Sequence, residues 1–191
     1  MPTVGQDATA VIEALEVEIM EKTKKLAELR RNQPREPLPA YNFALGETLD
    51  DLFGERGDLL ILHNMGKNCS YCTLWADGFI GLHKHILDRC AFAVVSPNDP
   101  DIQAAFAESR GWPYRMVSDR ELRFTKDMGM YKDGEGVWPG ISGFHKNEDG
   151  SIVRVAWSYL GPGDDFCAVW HMFELLDGGP GDWEPQFSYG S

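Results

Sequence analysis

Asp58-Leu59-Leu60-Ile61-Leu62-His63-Asn64-Met65-Gly66-Lys67-Asn68-Cys69-Ser70-Tyr71-Cys72 is the stretch that decides the fold. Leu59 to Leu62 is an uninterrupted aliphatic run, short for a helix and without alternation, as a strand covered on both faces requires. Met65 to Asn68 break the pattern and predict a turn. From Thr73 onward, Leu74, Trp75, Phe79, Ile80, Leu82, His83, Ile86 and Leu87 recur at spacings of three and four, predicting one helix that ends near Arg89-Cys90. Cys69 and Cys72 then fall in its first turn.

That placement carries chemistry. The first amides of a helix lack internal partners, and the macrodipole adds partial positive charge, so a thiolate is favoured there over a thiol. A cysteine in Cys-x-x-Cys at a helix N-terminus titrates at about 3.5 to 7.5 rather than about 8.5. Cys69 is the expected nucleophile, and Lys67 is expected to push its pKa the same way. Cys72 can close a disulfide back onto Cys69 and release whatever Cys69 has attacked.

Cys-x-x-Cys is also half of a zinc site. A structural zinc needs a second pair at comparable spacing, whereas Cys90 and Cys167 are single and far apart. His83 and His85, two residues apart on a helix, point to different faces. The pattern therefore favours a redox pair over a metal site, with a coincidental pair in a buried helix as the remaining alternative. No metal and no cofactor is implied.

The composition bounds the rest. At 191 residues and 43% hydrophobic, the chain can bury one good core plus an appendage. With 30 Asp and Glu against 18 Lys and Arg, its formal charge of -12 repels phosphate backbones and anionic lipid, so neither nucleic acid nor a membrane is an expected partner. The N-terminus lacks signal-peptide order and no apolar run approaches spanning length, which leads to the expectation of a cytoplasmic protein with reduced thiols.

Residues 7 to 31 read as one long helix within an N-terminal arm, 1–33. Ile12, Leu15, Ile19, Leu26 and Leu29 fit heptad positions, with Lys22 interrupting the seam. Glu13, Glu16, Glu18 and Glu21 fill the first half; Lys22, Lys24, Lys25, Arg30 and Arg31 fill the second, giving Glu18–Lys22 and Glu21–Lys25 pairs. Such a helix either packs on its own domain or pairs antiparallel with a copy of itself in a homodimer. Residues 34–40 form a stiff Pro-rich linker.

The main domain is expected over 41–176. Phe92 to Val95 is a second buried strand, Pro100 opens a helix to about Arg110-Gly111, and Tyr114 to Val117 is a third strand. Residues 119–138 carry no assignment. Ile141 to His145 and Ile152 to Trp157 flank Asn147-Glu148-Asp149-Gly150 as an antiparallel hairpin, and Phe166 to Leu176 is a last helix. The tail, 177–191, is Gly- and Pro-rich and reads as flexible, with Trp183, Phe187 and Tyr189 able to fold over a neighbour.

This element order, with the Cys-x-x-Cys after the central strand, is that of the thioredoxin fold: α/β, a mixed sheet flanked by helices, here with a helical arm. Tyr41-Asn42-Phe43, Leu49-Asp50-Asp51-Leu52-Phe53, Cys69-Ser70-Tyr71-Cys72-Thr73-Leu74-Trp75-Ala76-Asp77, Val94-Val95-Ser96, Arg110-Gly111-Trp112 and Pro139-Gly140-Ile141-Ser142-Gly143-Phe144 resemble the thioredoxin-like bacterial family known as domain of unknown function 899, related to the peroxiredoxin group. The resemblance runs from about Tyr41 to Leu176.

It implies a redox role and two further site assignments. In thioredoxin-like proteins a cis-proline precedes the first hairpin strand and its neighbours bind the extended substrate; Pro139 matches, so Trp138, Pro139 and Gly140 are expected to hold substrate, with a cis Trp138–Pro139 bond. Six residues before the first cysteine those proteins keep a buried acid that relays protons to the deeper thiol; here His63 stands there and could serve Cys72 as base. The sequence also departs from the pattern: Asn68 precedes the pair, Ser70-Tyr71 lie within it, and neither cysteine has the upstream Pro and Thr or Ser frame of a peroxiredoxin. Four readings follow in order: a thiol-disulfide oxidoreductase acting on a protein or small-molecule disulfide, a peroxide reductase, a non-catalytic redox sensor or binding module, and a metal-binding module.

Overall fold

A computed structural model describes residues 6–190, which divide into two units between Arg35 and Glu36. Among the described residues the first unit holds a single helix, α1 (Gln6–Arg31), in which Lys22 Nζ meets Glu18 Oε1 at 2.7 Å. The first five residues of the arm and Ser191 of the tail lie outside the described residues.

The second unit is built on a five-stranded sheet of β1 (Asp58–His63), β2 (Ala91–Ser96), β3 (Arg115–Ser118), β6 (Gly140–Lys146) and β7 (Ile152–Tyr159), in the order β3-β2-β1-β6-β7. β1, β2 and β3 are parallel neighbours, whereas β6 runs antiparallel to both β1 and β7. The start of β6 therefore lies beside the end of β1, Gly140 opposite His63. Pro37 and Leu38, from the expected linker, add a short piece to the β7 edge through the Pro37–Val153 bridge and a 2.8 Å bond from Leu38 N–H to Ile152 O.

Two apolar clusters cover the two faces of this sheet, which is why β1 and β2 show no alternation in sequence. Leu59, Ile61, Ala91, Ala93 and Val95 point into one cluster, with Tyr41, Phe53, Phe124 and Phe144. Leu62, Phe92 and Val94 point into the other, with Cys72, Trp75, Trp112 and Trp170.

The periodic run after the cysteines is two helices rather than the single one expected, α2 (Ser70–Phe79) and α3 (His83–Arg89). Gly78 and Gly81 weaken the join, and the ladder there tightens to three-residue bonds, Ile80 N–H to Asp77 O and Leu82 N–H to Phe79 O. α4 (Pro100–Arg110) begins on its proline and stops at Gly111, whose φ of 66° is left-handed.

Residues 119–138, unassigned from sequence, hold α5 (Arg123–Asp127) and a small ribbon of β4 (Tyr131–Lys132) and β5 (Gly136–Val137). Asp119 organises the first of these, its carboxylate accepting the backbone N–H of Thr125 at 2.7 Å and the Thr125 hydroxyl at 2.6 Å. The last helix, α6 (Ala168–Phe173), is shorter than expected and continues as three-residue turns to Leu176. In the segment after it, Trp183 packs edge-on against Trp170 and Phe173, and Phe187 against Phe106.

The cis bond expected before Pro139 is not formed, and no cis peptide occurs among the described residues. Trp138 N–H already donates to Met130 O at 2.8 Å, and Pro139 O accepts Leu160 N–H at 3.1 Å, so the chain enters β6 extended through a trans proline. Trans is also the intrinsically favoured form, by about 0.5–1 kcal/mol.

Candidate active site

A turn and a helix end set the two cysteines. β1 delivers the chain to Asn64, whose Oδ1 accepts Gly66 N–H at 2.7 Å, while Asn98 Oδ1 accepts Lys67 N–H at 2.8 Å from the loop after β2. Gly66 is required in this clasp: its φ is +108°, and a Cβ there would lie 2.6 Å from Asn98 Oδ1. Cys69 follows as the N-cap of α2, with its Sγ accepting the backbone N–H of Cys72 at 3.0 Å. Cys72 lies one turn deeper and is 2% exposed.

The two thiols are pushed in opposite directions. The Cys72 thiol donating to Cys69, helped by the backbone N–H groups of Cys72 and Tyr71, brings the Cys69 pKa down to about 7 against the opposing effect of burial. Cys72 is raised strongly, first by burial and then by the hydrogen bond and charge of Cys69. Lys67, expected to assist, is not among the groups acting on Cys69. Both cysteines are free thiols. Met65, which the sequence did not single out, touches both: its N–H donates to Cys72 Sγ at 3.4 Å and its sulfur lies 3.9 Å from Cys69 Sγ.

His63 is not brought to the cysteines. Alternation along β1 turns it away from Leu62, which shares the Cys72 cluster, and onto the other face, where it stacks on Phe124 at 5.7 Å. Its Nε2 meets Ser142 Oγ at 2.9 Å. Complete burial, with a smaller contribution from the Arg154 charge, lowers its pKa from 6.5 to about 3, so it is a weak base even for its own surroundings.

Trp138, Pro139 and Gly140 lie at the sheet end from which the Cys69 turn departs. Gly140 is buried, paired with His63 on one side and Tyr159 on the other. Its backbone is thus engaged within the sheet, and the Trp138 N–H is likewise occupied by Met130 O. The Trp138 ring carries Lys132 Nζ at 3.2 Å from its centroid and meets Tyr159 edge-on at 5.7 Å.

Asp77, eight residues after Cys69, ties two distant pieces of sequence together. It accepts the Trp112 indole N–H at 2.7 Å and the Arg110 guanidinium through both Nε and Nη2. Trp75, on the same helix, donates its indole N–H to Asp164 Oδ2 at 2.9 Å. The Trp-Ala-Asp run after the cysteines and the Arg-Gly-Trp run at the end of α4 are therefore two halves of one brace that holds α2 in place. Among the described residues, no group of His, Cys, Asp and Glu is arranged to hold a metal ion.

The profile of a bacterial protein family of unknown function, DUF899, matches residues 6–185. The chain belongs to that family. No curated protein matches this DUF899 chain in sequence. Among solved structures it is similar to the peroxidoxin BcpB of Mycobacterium tuberculosis, at 19% identity and a TM-score of 0.55 over 70% of this chain and 88% of that one. Peroxiredoxin Q of Xanthomonas campestris gives 18% and 0.55 over 69% and 86%, and AhpC of Enterococcus faecalis 14% and 0.52 over 68% and 82%. The DUF899 chain thus has the thioredoxin-like fold of the peroxiredoxins, carrying an N-terminal helix. No helix among the described residues is long and apolar enough to cross a membrane.

Proposed function

We propose that this protein is a thiol-disulfide oxidoreductase in which Cys69 is the nucleophile and Cys72 the resolving thiol. The observation that carries the reading is the place of Cys69 at the start of α2, where its Sγ accepts the Cys72 N–H at 3.0 Å and its pKa is lowered to about 7, while Cys72 one turn deeper is kept protonated first by burial. Cys69 thiolate attacks a substrate disulfide, forming a mixed disulfide and releasing one substrate thiolate. Its negative charge is consumed in that step, so two of the influences holding the Cys72 proton, the hydrogen bond and the charge of Cys69, disappear together. Cys72 then loses its proton to the departing substrate sulfur and attacks Cys69 Sγ. The second substrate thiol leaves, the substrate has gained two electrons, and the protein holds a Cys69–Cys72 disulfide that an external dithiol must reduce. The Trp138-Pro139-Gly140 entry to β6 is the proposed border of the substrate site.

A second reading is supported by the solved neighbours, whose names are those of peroxiredoxins. Cys69 thiolate attacks a peroxide oxygen, becomes a sulfenic acid and releases the alcohol or water after proton uptake; Cys72 then condenses with it, expelling water.

Mass spectrometry on Cys72→Ser separates these readings. After exposure to oxidised glutathione, a stable adduct on Cys69 supports the first; after hydrogen peroxide alone, a sulfenic acid trapped on Cys69 at a rate far above that of a free thiol supports the second. If Cys69 reacts with both no faster than an ordinary thiol, both are rejected.

A further inference from the structure

α1 is a lone helix within its unit, and a lone helix cannot cover its own apolar stripe. Ile12, Leu15, Ile19, Leu26 and Leu29 recur at spacings of three, four, seven and three along it, and all are between 43% and 63% exposed. Written as a heptad with Ile12 at a, the seam reads Ile12, Leu15, Ile19, Lys22, Leu26, Leu29, alternating a and d positions, with Glu18 and Lys25 both at g.

We propose that α1 pairs antiparallel with α1 of a second copy of this chain, in the register that places Ile12 on Leu29, Leu15 on Leu26 and Ile19 on Lys22 of that copy. The two-fold axis then passes between residues 20 and 21. In an antiparallel pair, g positions face g positions, so Glu18 of each copy meets Lys25 of the other twice by symmetry. The flaw in the seam is accommodated as well: Lys22 faces the aliphatic Ile19 with its stem, while its ammonium is already drawn aside to Glu18 at 2.7 Å.

The parallel alternative fails on charge. In-register parallel helices put Lys22 against Lys22 at the centre of the seam and Lys25 at g against Arg30 at e. The paired stretch, residues 12 to 29, is about 26 Å long, enough for one short two-stranded coiled coil.

The test is the mass of the full-length chain in solution against concentration, by sedimentation equilibrium, with helicity followed by circular dichroism. A concentration-dependent dimer is expected. Glu18→Lys and Lys25→Glu should each weaken it about ten-fold, because both symmetric pairs between the helices turn from attractive to repulsive, and the double exchange should recover that part of the loss but not the part due to the Glu18–Lys22 and Glu21–Lys25 pairs within each helix. Glu13→Lys, which changes the charge equally at an outward b position, should leave the dimer constant within about two-fold. Lys22→Leu should tighten it. A monomer at every concentration would overturn the proposal, as would a dimer indifferent to the single charge reversals. A dimer that Lys25→Glu strengthens would mean parallel helices and would overturn it too.

Discussion

The backbone N–H of Cys72 points at the sulfur of Cys69 from 3.0 Å, so the residue that must stay protonated helps its partner to ionise. The expected consequence is a split titration. Alkylation of Cys69 against pH, mapped by mass spectrometry, should show a midpoint near 7 in the native chain. Cys72→Ala removes the thiol that donates most to Cys69 but keeps the main-chain N–H, and the midpoint should rise toward that of an ordinary cysteine without reaching it. A native midpoint already at the free-cysteine value of about 8.5 would show that the arrangement does not activate Cys69.

His63 should govern acid stability rather than thiol chemistry. Its folded pKa, about 3, lies below the ordinary 6.5, so below 6.5 the unfolded chain takes up a proton that the folded one refuses. Stability is therefore full above that value and declines as the pH falls through it toward 3. For a single site the loss at pH 5 is about 2 kcal/mol. Urea denaturation of the native chain and of His63→Gln at several pH values should show a smaller decline in the variant, while the Cys69 alkylation midpoint stays where it was. A moved midpoint would restore His63 to the proton path.

Gly140→Ala should destabilise the sheet. The added Cβ would lie 2.5 Å from Met130 Sδ and 2.9 Å from the main-chain O of Ser158. A methionine tip can move, but a carbonyl within a strand pair cannot, so a cost of about 1–3 kcal/mol is expected from overpacking. Measured against Met130→Ala alone, which costs its own cavity, Gly140→Ala should still be destabilising, though by less than in the native chain. No cost of Gly140→Ala in the Met130→Ala background would locate the clash at the methionine alone.

Asp77→Ala should be felt in three places at once. Loss of the carboxylate strips partners from Arg110 and from the Trp112 indole, and hydrogen bonds to charged groups contribute roughly 1.5–3 kcal/mol each. Because Arg110 Nη1 also holds the carbonyl of Phe187 at 2.6 Å, the C-terminal segment should become more open to limited proteolysis. Denaturation midpoint and cleavage rate report the two effects separately; a destabilised chain with an unchanged cleavage rate would mean that Arg110 holds the segment without Asp77.

β1 and β2 were legible because the side chains of Leu59 to Leu62 and Phe92 to Val95 are all hydrocarbon, which announces burial on both faces, and the two clusters bear this out. That same uniformity hid the direction of His63, since a run without alternation does not tell which residue faces which side. The Cys69–Cys72 pair was legible from its place between strand and helix. The break at Gly81 was not, because Phe79, Leu82 and Ile86 keep the helical spacing across it. Residues 119–138 were opaque for a different reason. Their order comes from one buried carboxylate, Asp119, capping Thr125, and from Leu122 in a left-handed conformation that its side chain does not favour. The Asp77 brace joins residues more than thirty positions apart, which no local pattern encodes.

The groups that lower the Cys69 pKa all belong to the segment from Tyr71 to Cys72, and no side-chain cation takes part. Dissolved ions screen charges between separate side chains far better than they screen amide dipoles in contact with a sulfur. The reactivity of this thiolate should accordingly vary little between dilute buffer and concentrated salt. A cell whose ionic strength swings with osmotic stress would find the same nucleophile at both extremes.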